Sequence, residues 1–261
     1  MFQNFKLFKK QKMNLYFKQS KYGHFCLIEK DLISNFINTH GFWEIHLYEL
    51  YKHMINPTDI VLDAGANIGF HTIQFAKLAN EGKVIAFEPQ PLIYNVLTVN
   101  ILYNGATDVV EQHKLGLSNK VKNQKMTLLS KQFFSKDCIN YGGRGIADEG
   151  EEEVKTTTID NLNLNTLDFI KMDIQGSELD AIKGGINTIT KNKPIIFLEN
   201  YKSKESDVET LKILKDIEYI CYRLTAGNKE DCVLIDRKKH KDIKDIMENN
   251  KILYENEETI V

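Results

Sequence analysis

From Asp59 onward the chain alternates short, unbroken apolar runs with segments whose apolar residues recur at helical spacing. IVLD (Ile60–Asp63), KVIAFEP (Lys83–Pro89), VVEQHK (Val109–Lys114), FIKMDI (Phe169–Ile174) and PIIFLEN (Pro194–Asn200) read as strands. Between them, Asn67–Ala79, Leu92–Tyr103, Glu178–Thr190 and Asp207–Glu218 read as helices, with Gly184-Gly185 marking a weak point or an end in the third. Continuous apolar runs suit strands buried on both faces, and the strand–helix rhythm implies a parallel sheet covered by helices on both sides. The pattern changes near the end. YICYRL (Tyr219–Leu224) and CVLID (Cys232–Asp236) are separated by too few residues for a parallel crossover, so this pair is expected to be antiparallel.

Two parts fall outside the rhythm. Residues 1–58 predict a hairpin (KMNLYFKQSKYGHFCLIEKD) and a helical stretch, Phe42–Met54, as an N-terminal extension. Residues 119–158 are an insertion or lid within a Rossmann-like domain of residues 59–240, and residues 241–261 are expected to form a C-terminal helix and tail. The acidic run Asp148–Glu153 reads as a solvated loop, and the six lysines between Lys6 and Lys21 as an exposed face of the hairpin.

Composition narrows the class. In 261 residues, 42% are hydrophobic and 27% charged, with a formal charge of −2, so a sizeable core is available and no general attraction for nucleic acid or anionic membrane follows. No stretch approaches the ~18 apolar residues of a membrane span. Cys26, Cys138, Cys221 and Cys232 are scattered without zinc-type spacing, which fits a reducing compartment and an expected cytoplasmic location.

The chemistry begins at DAGANIG. Asp63 ends the first strand, Gly65 and Gly69 shape the turn after it, and a second acid, Glu88, ends the next strand. An acid about 20 residues past a glycine turn suits the ribose hydroxyls of an adenosine-containing cofactor. Gly65-Ala66-Asn67-Ile68-Gly69 lacks the middle glycine that lets pyrophosphate approach, and no P-loop is present. An acid-bearing turn suits a cationic, phosphate-free adenosine ligand, and S-adenosylmethionine fits better than NAD.

Seven ordered stretches, GFWE, DAGANIGFHT, FEPQP, GLSN, TTTIDNL, IKMDIQGSELDAIKGG and IIFLEN, together resemble the FkbM-type methyltransferases within the S-adenosylmethionine-dependent, Rossmann-like class. The resemblance covers roughly residues 40–200. It implies an α/β fold with a seven-stranded, mostly parallel sheet and a reversed last strand, and O-methylation, commonly of sugar or polyketide hydroxyls. The chain departs from it at Gln175, which replaces an acid often found there.

Asp63, Gly65, Asn67, Gly69, Glu88 and Asp173 are the expected cofactor-binding residues, and the resemblance adds Glu44 at the cofactor's amino-acid end. Two ways of activating a hydroxyl compete. Asp173 or His71 acts as general base, or Asp173, Glu199 and Asn200 hold Mg²⁺ or Mn²⁺, because FLEN resembles the acid–Asn pair of catechol-type methyltransferases. His71 equally suits packing or capping. Asn140, Tyr141 and Arg144 in NYGGRG are candidate sugar contacts, and Trp43 is either core or a stacking platform. The acceptor expected is a sugar hydroxyl of a glycan, nucleotide-sugar or glycolipid; a small metabolite, an RNA 2′-hydroxyl and a non-catalytic cofactor-binding role are the alternatives.

Overall fold

The computed structural model describes residues 14–127, 134–135, 138–150, 152–199, 205–225, 231–238, 240–250, 252 and 254–256. It opens with the antiparallel hairpin β1 (Leu15–Ser20) and β2 (Gly23–Ile28), as the sequence predicts. Two helices follow, α1 (Leu32–His40) and α2 (Ile45–Tyr51). Only the second lies in the predicted helical stretch. Nevertheless α1 carries ordinary signals: the Asp31 carboxylate accepts the Ser34 N–H at 2.8 Å, and Gly41 ends the helix at φ 84°.

The alternating unit is then β3 (Ile60–Ala64), α3 (Phe70–Leu78), β4 (Lys83–Phe87), α4 (Pro91–Tyr103) and β5 (Val110–His113). The first helix starts at Phe70 rather than Asn67, because residues 66–69 are spent on the turn, where Asn67 and Gly69 both take positive φ. The strand β6 (Gly116–Leu117) precedes the insertion, which contains β7 (Asn123–Met126), β8 (Phe134–Ser135), β9 (Cys138–Ile139), β10 (Ile146–Ala147) and β11 (Glu152–Thr157). Four of these form a separate small sheet in the order β10-β7-β11-β6. The acidic run is therefore not all loop: Glu152 and Glu153 open a strand, where Glu152 meets Arg144. After it come β12 (Phe169–Met172), α5 (Glu178–Gly184), α6 (Ile186–Asn192), β13 (Ile195–Glu199), α7 (Glu205–Asp216), β14 (Tyr219–Leu224), β15 (Asp231–Asp236), α8 (His240–Asn249) and β16 (Tyr254–Asn256). The third predicted helix breaks at the glycine pair.

The central sheet runs β16-β14-β15-β13-β12-β3-β4-β5. Five neighbouring strands, β13 to β5 in that order, are parallel, while β15 lies antiparallel to both β13 and β14. This is the expected α/β architecture with its reversed strand. The count differs: among the described residues the sheet has eight strands, because Tyr254–Asn256, predicted as tail, pairs with the edge of β14. One hydrophobic cluster lies on each face of the sheet, and the hairpin's Phe25 and Leu27 belong to one of them, beside Phe70 and Phe75.

Two asparagines fasten the extension to that core. The fully buried Asn100 of α4 accepts the Cys26 N–H and donates to the carbonyls of Cys26 and Ile68. One turn later Asn104 accepts the His24 N–H and donates to the His24 carbonyl. Their amides pair with the free edge of β2 as a neighbouring strand would, so its backbone groups are satisfied without a third strand. Asn100→Ala is expected to cost about 2–4 kcal/mol, since it leaves one buried N–H and two carbonyls unpaired. Urea denaturation of the two proteins measures this, and a loss below ~0.5 kcal/mol would show that the amide clasp is dispensable.

Candidate active site

A cleft of about 320 Å³ opens where β3, β4, β12 and β13 end. This is the edge at which open parallel sheets present their loops and helix starts to a ligand. Its walls come from three parts of the chain. The sheet supplies the turn after β3 and the ends of β4 and β12. The extension supplies Leu32, Ile33, Trp43 and Glu44, and the insertion Asn140, Gly142, Gly143 and Arg144.

The glycine turn needs its glycines for different reasons. Gly65 has φ 80°, and a Cβ there would stand 1.9 Å from the Asp173 carbonyl oxygen, so only a bare backbone lets the two strand-end loops touch. Gly69, at φ 90°, starts α3 beneath Leu97. Next to the turn lies the buried carboxylate of Glu88. One oxygen accepts the Asn67 N–H at 3.0 Å and the other the Gln90 N–H at 2.8 Å, while the group still lines the cleft. Burial pushes Glu88 up to about 7, against the pull of these two amides.

Lys171 is a residue the sequence reading passed over. It lies on β12, 3% exposed, and its Nζ donates to the Gly65 carbonyl at 2.9 Å. Asp63 Oδ1 is 3.6 Å from that ammonium and Asp173 Oδ2 is 3.8 Å from it. Burial alone would lower the lysine; Asp63, Asp173, Glu44 and Glu199 outweigh it and hold the ammonium above the usual lysine range. A signal was present: one lysine in the apolar run FIKMDI requires a buried partner.

Asp63, expected to face the cofactor, is fully buried and does not line the cleft. Its Oδ2 accepts the Thr72 hydroxyl at 2.6 Å and its Oδ1 faces Lys171, so it braces the turn from beneath. Asp173 does line the cleft, with its side chain 35% exposed. The Gln175 amide donates to Asp173 Oδ1 at 2.8 Å and to Glu199 Oε2 at 2.9 Å. That NH₂ group therefore stands between two of the acids expected to share a metal ion. The third expected ligand, Asn200, lies outside the described residues. Among the described residues no group of three or more His, Cys, Asp or Glu side chains is arranged to hold a metal ion. Glu178 accepts the N–H groups of Ile174 and Gly176, clasping the loop that carries Gln175 at φ 53°.

His71 pairs through Nε2 with Glu44 Oε2 at 3.1 Å, and both line the cleft. The ring packs among Tyr51, Phe70 and Phe75, and its buried Nδ1 has no hydrogen-bond partner among the described residues. In the NYGGRG loop, Asn140 and Arg144 line the cleft and Tyr141 does not. Asn140 Oδ1 accepts the Gly143 N–H at 3.2 Å. Arg144 is engaged three ways, with the Thr127 carbonyl, Gln90 Oε1 and Glu152. Gln90 also donates to the Tyr141 carbonyl, so this residue joins the insertion to the end of β4.

Comparison with known proteins identifies the family and the fold. The methyltransferase FkbM domain family matches residues 63–249. Methyltransferase sdnD of Sordaria araneosa is 26% identical over 168 residues, which is 53% of this chain and 64% of that protein. The hexuronic acid methyltransferase AglP of Haloferax volcanii is 26% identical over 186 residues, 70% of this chain and 72% of that protein. The 2-O-methyltransferase NoeI of Sinorhizobium fredii is 27% identical over 154 residues, 52% and 61% of the two chains. The match thus spans less than two thirds of sdnD and of NoeI. The crystal structure of the FkbM methyltransferase from Methylobacillus flagellatus shares the fold, with a TM-score of 0.51 at 20% identity over 69% of this chain and 44% of that one.

Glu88 gives the cleft a pH signature. Because its folded value is raised, the folded protein retains a proton that the unfolded chain has released between pH ~4.5 and ~7. Its contribution to stability is therefore full below that window and lost as pH rises through about 7. Relative to wild type, Glu88→Gln is expected to flatten the decline in stability between these limits. Denaturant titrations across this range test it; parallel pH profiles would refute a proton held at Glu88.

Proposed function

The chain belongs to the methyltransferase FkbM domain family, and on that premise we propose that it methylates a hydroxyl oxygen of a sugar-containing acceptor, using S-adenosylmethionine. The observation that carries the cofactor reading is Glu88: a buried carboxylate fixed by two backbone amides, beside a glycine turn, at the end of the second parallel strand. Each of its oxygens retains a lone pair for a ribose hydroxyl. Asn67 occupies the place where a pyrophosphate would need glycine, which favours an adenosine ligand without phosphate. Held by Glu88 and the glycine turn, S-adenosylmethionine would supply an electrophilic methyl group for the acceptor oxygen, with the C–S electron pair left on sulfur.

The chain's own task is to hold both reactants in line and remove the hydroxyl proton. Asp173 takes that proton. Its side chain is about one-third exposed in the cleft, and Gln175 and Lys171 orient its two oxygens. His71 is the weaker candidate because its unpaired Nδ1 is sealed from the cleft; it positions Glu44, which stays 31% exposed and meets the cofactor's ammonium. A sugar acceptor draws support from the relative named for hexuronic acid, and transfer to oxygen from the relative named for 2-O-methylation. Base catalysis is favoured over a shared metal because Gln175 donates to both Asp173 and Glu199.

Asp173→Asn is expected to lower kcat by about 10²–10⁴ while cofactor affinity stays within a few-fold. Single-turnover assays paired with calorimetry measure both; an unaffected kcat would remove Asp173 from the mechanism. Glu88→Gln should weaken cofactor binding at least ~10-fold. Wild-type affinity should rise as pH passes upward through about 7, because ribose hydroxyls donate to the ionised carboxylate. Treatment with EDTA is expected to leave turnover unchanged, and restoration of lost activity by Mg²⁺ would return Asp173 and Glu199 to a metal site.

A further inference from the structure

We infer that the acceptor side of the cleft is built for a sugar ring carrying no negative charge, an inference that rests on the methyl-transfer reading above. Two separate features lead to it. The first is an apolar wall. Trp43, Leu32 and Ile33 line the cleft together, on the extension rather than on the sheet. Phe36 meets the indole edge-on at a centroid distance of 5.3 Å and an angle of 89°, bracing it in place. Leu32 and Phe36 remain 41% and 37% exposed, so apolar surface continues from the cleft out onto α1. A braced aromatic ring at a cleft mouth offers the C–H face of a pyranose a flat apolar partner, while the ring's hydroxyls stay free for polar groups at its edge.

The second feature is the charge that shares the cleft with that wall. Beside Glu44 and Glu88, which the methyl-transfer reading gives to the cofactor, Asp173 and Glu199 line the cleft, and among the described lining residues the lysine and arginine are Lys171 and Arg144. Both cations are already engaged. Lys171 serves the Gly65 carbonyl, Asp63 and Asp173, and Arg144 serves Thr127, Gln90 and Glu152. A carboxylate or phosphate on the acceptor would therefore enter beside Asp173 and Glu199, and of the described lining residues neither Lys171 nor Arg144 is arranged to receive it. Hydroxyl or ammonium groups would instead donate to those same oxygens. The two features select together: the wall takes a ring, and the acids exclude an anionic one.

Trp43 is the chain's single tryptophan, so its emission reports occupancy of this wall without any need for turnover. Methyl glucoside, methyl glucosaminide and methyl glucuronide share one ring and differ in charge. Each is titrated into the full chain, with and without saturating S-adenosylhomocysteine, whose own binding is measured separately by calorimetry. The glucoside and glucosaminide should shift Trp43 emission, and the glucuronide should bind at least about tenfold more weakly. Added salt should narrow that gap, since its origin is electrostatic. Phe36→Ala should weaken the glucoside several-fold and leave S-adenosylhomocysteine affinity unchanged. Glucuronide binding as tight as that of the glucoside, or no response of Trp43 to any of the three, would overturn the inference. Failure to bind S-adenosylhomocysteine would instead count against the methyl-transfer reading, so the two failures are told apart.

Discussion

The site is organised around one buried ammonium. Lys171 stands between the two loops that end β3 and β12, hydrogen-bonded to the carbonyl of Gly65 and flanked by Asp63 and Asp173. Without it, Asp63 would be a fully buried carboxylate whose hydrogen bond comes from Thr72, an arrangement that interiors tolerate poorly. With it, the acid of the glycine turn and the acid after β12 share a counter-charge, and the distance between the two loops is fixed. The contact of Gly65 with the Asp173 carbonyl belongs to the same arrangement: the loops touch at the backbone because glycine permits it, and stay together because the lysine holds both.

Around this fixed pair the extension and the insertion close in. The extension is not an appendage in packing terms, since Phe25 and Leu27 belong to a core cluster of the sheet and Asn100 and Asn104 complete the edge of β2. The insertion reaches the same region from the other side. Ile139 donates to the Lys30 carbonyl, and a Cβ on Gly142 would press on both Asn67 and Ile33. The cleft is thus bounded by sheet, extension and insertion together, and the last two bring the apolar wall and the Arg144 network that the sheet lacks.

Much of the sheet was legible because its strands are buried on both faces, which leaves unbroken apolar runs, and because the glycine turn breaks the pattern sharply. Glu88 could be placed for the same reason, by its spacing from that turn. Other features left weaker traces. The helix α1 has its cap and stop signals, Asp31 and Gly41, but a short one-sided apolar stripe. Strand β16 is three residues long and owes its existence to the free edge of β14. Asp63 has the right residue type in the right place, yet its direction depends on Thr72 and on a lysine more than a hundred residues away, and no local pattern encodes that. Gln175 reads as the loss of an acid; its positive φ and its two carboxylate partners appear only once β12 and β13 lie side by side.

That separation also bears on how the molecule is assembled. The bond from Lys171 to Gly65 joins positions 106 residues apart, and β3 has its neighbour β12 on one side only after the whole insertion has been synthesised. Closing so long a loop precedes any reward from the contact, and such non-local pairings slow folding. As the nascent chain leaves the ribosome, DAGANIG emerges early, with Asp63 unpaired and one side of its strand open to solvent. The turn reaches its final shape only when FIKMDI arrives to fill that gap. Until then this strand edge is open to wrong pairing.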